Sequence, residues 1–288
     1  MITCTRCMTT NANTANTANL ILVTGATGKT GRRVLDRLTE RGVAVRAGSR
    51  TASPAFDWAD RGTWAAALDG VTAAYVSYFP DLAVPGADQD IAAFTTLAAE
   101  KGVKRLVLLS GRGEHEAEAC EKLVQESGLE WTVVRASWFN QNFSESFLLE
   151  AVQSGEMALP VGAVTEPFAD VDDIADVAVA ALTEDRHNGE VYEVTGPRLL
   201  SFAQIAHELT QATGRTVTYI PVTIEDYVAV LKQAEVPADF IGLFEYLFTQ
   251  VLDGRNSSLT DGVQRALGRE PRDFTDYAKA TAATGIWG

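Results

Sequence analysis

The stretch from Leu20 to Gly31 constrains this chain more than any other. Leu20-Ile21-Leu22-Val23-Thr24 is a short apolar run that stops at Gly25. Gly28 and Gly31 follow at three-residue spacing, and then a helical pattern begins with Val34, Leu35 and Leu38. This is the strand, tight turn and helix start of a dinucleotide-binding βαβ unit. Gly25 lets the chain turn sharply, Gly28 leaves room for a pyrophosphate, and Gly31 lets the helix pack close to the sheet. The free N–H groups at the start of that helix, with its positive dipole end, then face the phosphates. Gly25, Thr27, Gly28, Lys29, Thr30 and Gly31 are therefore the first candidate cofactor contacts.

A chain of 288 residues suits one large α/β domain, or a main domain with a smaller appended part. It contains no apolar run of about 18 residues that could cross a membrane. Without an apolar signal core near its start, it reads as cytoplasmic. From Thr9 to Asn19 the residues Asn, Thr and Ala repeat with no apolar period, so residues 1–19 read as a disordered tail. Cys4 and Cys7 lie in that tail; two cysteines are too few for a structural zinc site. Cys120 falls in a helical pattern and reads as a small apolar residue.

The formal net charge is −14. Residues 1–150 hold 15 basic and 17 acidic side chains, and residues 151–288 hold 9 and 21. The acidity thus sits in the C-terminal half, and no basic stripe is available for nucleic acid. A small-molecule substrate is expected, handled by a monomer or homodimer with no nucleic-acid or membrane partner.

Strands alternate with helices through the first half. Strand Leu20–Thr24 and a helix from about Gly28 to Glu40 lead to strand Val43–Ser49, which runs into Ser49-Arg50 with no acid before Asp57. An acid just after this strand would bind a ribose 2′-hydroxyl and repel a 2′-phosphate. Arg50 and Ser49 can instead bond that phosphate, so NADP(H) is expected over NAD. Phe56-Asp57-Trp58 reads as the end of a short third strand. Asp57 could accept from the adenine amino group with Trp58 beside it, or the two could be a cap and a core aromatic. A short helix Arg61–Leu68, strand Val71–Tyr78, helix Ala87–Lys101 and strand Lys104–Ser110 follow. After Gly111-Arg112-Gly113-Glu114-His115 comes a helix to about Glu126, then a sixth strand, Trp131–Arg135. Tyr78, Phe79 and Ser110 stand at strand ends, where ligands sit in doubly wound sheets.

The second half is less regular. A helix opens at Trp138-Phe139. Glu166–Val171 reads as a strand, Asp172–Leu182 as a helix with Asp172 at its start, and Glu190–Val194 as a strand. Helix Ser201–Thr213, strand Thr216–Pro221 and a helical block Ile224–Leu252 complete the reading. Phe240, Leu243, Phe244, Leu247 and Phe248 form an apolar stripe that suits a core or the wall of a substrate pocket. The expected fold is α/β: a Rossmann-type doubly wound parallel sheet with a smaller α+β C-terminal substrate region. The expected division is residues 20–150 for the cofactor and 151–288 for the substrate, with strands from 166–195 joining the main sheet.

The glycine run, Arg50, Ser127-Gly128-Leu129-Glu130-Trp131-Thr132 with Arg135, Trp138-Phe139, and Asp170-Val171-Asp172-Asp173-Ile174-Ala175 resemble the NmrA-like branch of atypical short-chain dehydrogenases/reductases. The similarity covers about residues 20–286. Gly28-Lys29-Thr30-Gly31-Arg32-Arg33 and Phe56-Asp57-Trp58 with Thr63-Trp64 resemble the festuclavine dehydrogenase group of ergot alkaloid pathways and its bacterial relatives. The resemblance implies an NADPH-binding Rossmann domain. It maps cofactor contacts onto the 25–31 loop, Arg50, Asp57-Trp58, Tyr78-Phe79, Ser110 and Trp138-Phe139. It also implies hydride transfer from NADPH to a cyclic iminium, or in other relatives to quinones or ene-type bonds. Some relatives bind the cofactor only to sense redox state.

The residues themselves limit the chemistry. None of the seven tyrosines has a lysine four residues on, so the Tyr-x-x-x-Lys proton donor of common short-chain reductases is missing. Some NmrA-like reductases keep a lysine four residues before a glutamate on the helix after Ser110. If Glu121 is that glutamate, Ala117 stands in the lysine's place. An iminium carbon takes hydride and becomes a neutral amine without any acid, so positioning and polarisation can suffice. The first expectation is thus an NADPH-dependent iminium or imine reductase, with a quinone or ene reductase as alternative. The alternative of another class is a non-catalytic NADP(H)-binding redox-sensing regulator. His115 is the remaining acid/base candidate, with Arg112 behind it. No metal-ligand spacing is present.

Overall fold

The computed structural model describes residues 19–288. Cys4, Cys7 and the tail through residue 18 lie outside the described residues. The chain begins with β1 (Leu20–Thr24), α1 (Lys29–Glu40), β2 (Val45–Gly48), α2 (Trp64–Ala67), β3 (Val71–Val76), α3 (Ala87–Glu100), β4 (Arg105–Gly111), α4 (His115–Gln125) and β5 (Glu130–Ala136). It continues with α5 (Asn142–Glu145), α6 (Leu149–Ser154), β6 (Glu156–Leu159), β7 (Thr165–Glu166), α7 (Val171–Thr183) and β8 (Glu190–Val194). The remaining elements are β9 (Leu200–Ser201), α8 (Phe202–Thr213), β10 (Thr218–Pro221), α9 (Ile224–Gln233), α10 (Ala238–Tyr246), α11 (Gly262–Leu267) and α12 (Phe274–Ala282).

Six strands pair in the order β2-β1-β3-β4-β5-β8, all parallel. The β-branched and leucine-rich runs Leu20–Val23 and Leu106–Leu109 fit strands covered on both faces. One face carries Ile21, Val23, Val107 and Val134 against Val34 and Leu38 of α1 and the apolar side of α7. The other carries Leu22, Ala74 and Leu106 against α3, α4 and the aromatic group Phe56, Trp58, Trp64 and Phe94. A third apolar cluster joins Phe143, Met157, Phe168, Phe202, Phe274 and Trp287 beyond the sheet. Arg33 and Arg37 of α1 reach across to Asp172 and Asp176 of α7, which fixes the two helices side by side.

Four local readings are corrected. Phe56 does not end a strand: Pro54 and the packing of Phe56 and Trp58 into the aromatic group leave only an isolated bridge between Asp57 and Asp60, so Glu130–Ala136 is the fifth strand. Residues 166–171 pair only at Thr165–Glu166, antiparallel to Leu200–Ser201. Helix α7 is capped by Asp170, whose carboxylate accepts from Asp172 N at 2.8 Å, and Asp172 turns instead to the α1 arginines. The block 224–252 is interrupted between Gln233 and Ala238, where Glu235 adopts φ 54° and Pro237 begins a new helix. The strand expected at Thr216–Pro221 forms β10, whereas its parallel partner β6 and the helices α11 and α12 have no counterpart in the sequence reading.

Candidate active site

The chain runs outward from β1 to β2 and then returns to place β3 on the other side of β1. At that switch point the connections leave a crevice at the carboxyl ends of the strands. A cleft of about 540 Å³ opens there, lined by the turns after β1, β3, β4 and β5 and roofed by α10.

The β1–α1 turn forms the first wall. Gly25 takes φ +61° and its carbonyl accepts from Gly28 N at 2.8 Å. A Cβ on Gly31 would overlap that same carbonyl, so the close approach of α1 requires glycine. Gly28, the N-cap, supplies no capping side chain, and the first turn of α1 holds no acid. The helix start is thus left free for an anion, and these residues fit a dinucleotide pyrophosphate. Gly25, Thr27, Gly28, Lys29 and Thr30 all line the cleft, whereas Gly31 acts from behind by its small size. Burial pushes the Lys29 ammonium down, Glu145 opposes this, and Arg32 adds to it. Glu145 is itself held below the ordinary range: burial lifts it, and its pairs with Arg33, at 2.8 Å, and Arg32 outweigh that.

Thr24 ties the ends of β1 and β3 by accepting from Ser77 N at 2.8 Å. Beyond it, Tyr78 and Phe79 line the cleft. The Tyr78 hydroxyl donates to Asp90 at 2.7 Å, and burial with that carboxylate raises its pKa. Trp58 is not at the cleft surface. It is buried among Phe56, Trp64, Tyr78 and Phe94, and its indole N–H donates to Ser77 O at 2.9 Å, which supports the wall from behind. Asp57 is half-buried and closes its own turn, accepting from Ala59 N, while its carbonyl takes the Trp64 indole N–H at 2.7 Å. Ser49 and Arg50 stand past the end of β2, beside the glycine turn, where Gly48 O accepts from Ala26 N. Both are outside the cleft lining, and Arg50 is exposed.

At the end of β4, Ser110 lines the cleft and donates to Glu121 at 2.6 Å. Arg135 binds Glu121 through two nitrogens and passes on to Glu193, which also receives Arg112. Arg112 is buried and spent on Glu193, Asn256 O and Ser258, so it pins a distant loop rather than offering a free charge. Ala117, where relatives are expected to keep a lysine, is buried and apolar. His115 is exposed on the first turn of α4 and does not line the cleft, because the turn brings its predecessor Glu114 inward. After β5, Trp138 and Phe139 line the cleft, held by hydrogen bonds between residues 138–140 and Ala169. Trp138 packs on Phe147 and Phe248, and Phe147, Phe240, Leu243, Phe244 and Leu247 complete an apolar wall.

The sequence reading does not find Asp81 and Glu114, two carboxyl groups that line the same cleft. Burial pushes both up, and for Glu114 the neighbouring Asp81 adds to the effect. The one sequence signal was the run Gly111-Arg112-Gly113-Glu114. Without a Cβ at Gly111, the Glu114 carboxyl lies flat against that backbone; a Cβ there would overlap it.

Among the described residues no cluster of His, Cys, Asp or Glu could hold a metal ion, and no helix is long and apolar enough to cross a membrane. A family described as NAD(P)H-binding matches residues 25–185, and the NmrA-like family matches residues 115–278. An NAD(P)H azoreductase of Xenophilus azovorans is 33% identical over 85% of each chain. A festuclavine dehydrogenase of Aspergillus fumigatus is 30% identical over 79% of this chain and 83% of its own. Among solved structures, the Escherichia coli NADPH-dependent quinone oxidoreductase complexed with NADPH superposes with a TM-score of 0.74 at 23% identity, covering 90% of this chain and 99% of that one. Its likeness supports the fold.

Proposed function

Because the chain belongs to the NmrA-like family and is an NAD(P)H-dependent oxidoreductase, we propose that it transfers hydride from NADPH to a small cyclic iminium or imine. In this reading residues 20–150 carry the cofactor and residues 151–288 shape the substrate side. The turn from Gly25 to Gly31 holds the pyrophosphate, with Thr27, Lys29 and Thr30 as its polar contacts. Ser49 and Arg50 take the 2′-phosphate, and Asp57 closes the adenine end. Tyr78, Phe79, Ser110, Trp138 and Phe139 enclose the nicotinamide, which supplies the hydride when bound. The reading also places the enzyme in the cytoplasm.

The observation that carries this proposal is the composition of the wall facing the glycine turn. Aromatic side chains of Phe79, Trp138, Phe147, Phe240 and Phe244 surround a cleft that also holds the carboxyl groups of Asp81 and Glu114. Aromatic faces and carboxylate attract a flat cation and exclude water from it. A cation that takes hydride becomes neutral and leaves this environment readily. The azoreductase and festuclavine dehydrogenase relatives support reduction of a nitrogen-containing electrophile. The test is anaerobic NADPH absorbance with purified protein against cyclic iminium ions and quinones, with NADH as control. Rapid oxidation by an iminium supports the reading; tight NADPH binding without oxidation by any acceptor rejects it.

A further inference from the structure

We propose that Glu114 is the proton donor of this cleft, sharing its proton with Asp81, and that it opens the reaction to neutral acceptors such as quinones. The proposal rests on the reductase reading above. Asp81 comes from the loop after β3 and Glu114 from the turn before α4, yet both line the same cleft, where the negative charge of Asp81 acts on Glu114. Two carboxyl groups brought together in a cleft resist ionising together, so the pair favours holding one proton. Asp81 accepts from Ala83 N at 2.9 Å, which stabilises its charge. Among the described residues no N–H donates to the Glu114 carboxyl. The proton therefore resides on Glu114, only 7% exposed and seated in the space that Gly111 leaves.

The surroundings reinforce this assignment. Asp81 faces Glu114 from the β3 loop, and Glu116 and Glu121 act on it from its own helix. Glu116 also takes the Tyr246 hydroxyl from α10 at 2.5 Å. Arg112, the nearby cation, is turned towards Glu193, Asn256 and Ser258. Two hydroxyls at the cleft are committed elsewhere: Tyr78 to Asp90 and Ser110 to Glu121. The acid pair thus stands in for the missing tyrosine–lysine dyad.

The step balances as follows. Hydride supplied by NADPH adds to the quinone, and an electron pair moves onto a carbonyl oxygen. That oxygen bonds the Glu114 proton, the acid O–H bond breaks, and its electron pair remains on the Glu114 carboxylate. The quinone gains two electrons and two hydrogens and leaves as the neutral hydroquinone. Two anions, Glu114 buried and Asp81 half-buried, now face each other, which favours recapture of a proton from water at the open mouth of the cleft. An iminium ion becomes neutral on hydride transfer alone and makes no use of this acid.

The experiment compares wild type, Glu114→Gln and Asp81→Asn with menadione and with an N-methylated dihydroisoquinolinium ion across a pH series. In Glu114→Gln the ratio of quinone to iminium kcat is expected to fall about tenfold or more. In Asp81→Asn the loss of the facing negative charge is expected to move the alkaline limb of quinone reduction about one unit towards lower pH. Infrared spectroscopy supplies a readout independent of turnover: the difference spectrum of wild type minus Glu114→Gln at neutral pH is expected to contain a protonated carboxyl band, while the band of the buried Glu166 cancels. If Glu114→Gln does not fold, the alkaline limb of Asp81→Asn decides. An unchanged ratio, an unmoved limb or a missing band overturns the donor role while leaving the reductase reading intact, as does reduction of the iminium alone by wild type. A wild type that binds NADPH and reduces neither acceptor overturns both.

Discussion

The two walls of the cleft are built by different means. The wall at the β1–α1 turn is backbone: Gly25, Gly28 and Gly31 shape it within seven residues of sequence, and its ligand is met by N–H groups and a helix dipole. The opposite wall is side chain. Asp81, Glu114, Trp138, Phe147 and Phe244 arrive from five separate segments and touch only after the sheet has formed. A site made of backbone is compressed in sequence and tolerates little change. A site made of side chains is dispersed, and the same scaffold can alter it residue by residue.

Substitutions can break or sharpen that contrast. The largest effect is expected at Gly31→Val, because the new side chain would strike the Gly25 carbonyl. NADPH affinity should fall by about a hundredfold or more, read by fluorescence titration, with a lowered Tm. Wild-type affinity in this variant would show that the turn does not hold the cofactor. Arg50→Asp should weaken NADPH binding about thirtyfold, from the loss of a charge-assisted bond, while NADH binding changes little. Equal loss of both cofactors would reject the 2′-phosphate assignment. On the facing wall, Phe244→Ala should raise KM for an acceptor about tenfold and leave NADPH Kd within about twofold. A matching change in Kd would mean that the two walls do not act separately.

The smallest effect concerns stability. Glu166 is buried beside Ser137, and its burial pushes the carboxyl up to about 8. In the unfolded chain the same group ionises near its ordinary value of 4.5. The unfolded state therefore releases the proton first, and folding loses stability as pH rises from that value to about 8. Glu166→Gln should remove this decline, so that Tm at neutral pH rises slightly and varies less across the window. An unchanged slope of Tm against pH would assign the decline to other groups.

Much of the first wall was legible in the sequence, because a glycine turn between an apolar run and a helical period is a local pattern. Strands and helices from Leu20 to Ala136 follow the expected alternation, apart from the segment at Phe56, whose aromatic neighbours draw it into the core. The stripe from Phe240 to Leu247 was read as core or pocket wall, and it lines the cleft. Less was legible where contacts are long-range. The pairing of Glu156–Leu159 with Thr218–Pro221 spans about sixty residues, and two-residue strands such as Thr165–Glu166 carry no period. His115 drew notice as a histidine, but the turn before α4 exposes it and buries Glu114. Trp58 reads in sequence as either a neighbour of the adenine or a core aromatic, and its ring completes the core.

The central claim is direct hydride transfer from one wall of the cleft to a substrate held by the other. The most direct measurement uses NADPH deuterated at the transferred position of the nicotinamide C4, a cyclic iminium ion, and mass spectrometry with NMR of the amine formed. The account predicts one deuterium at the former iminium carbon. Amine formed without deuterium, or NADPH bound and left unoxidised, would contradict it.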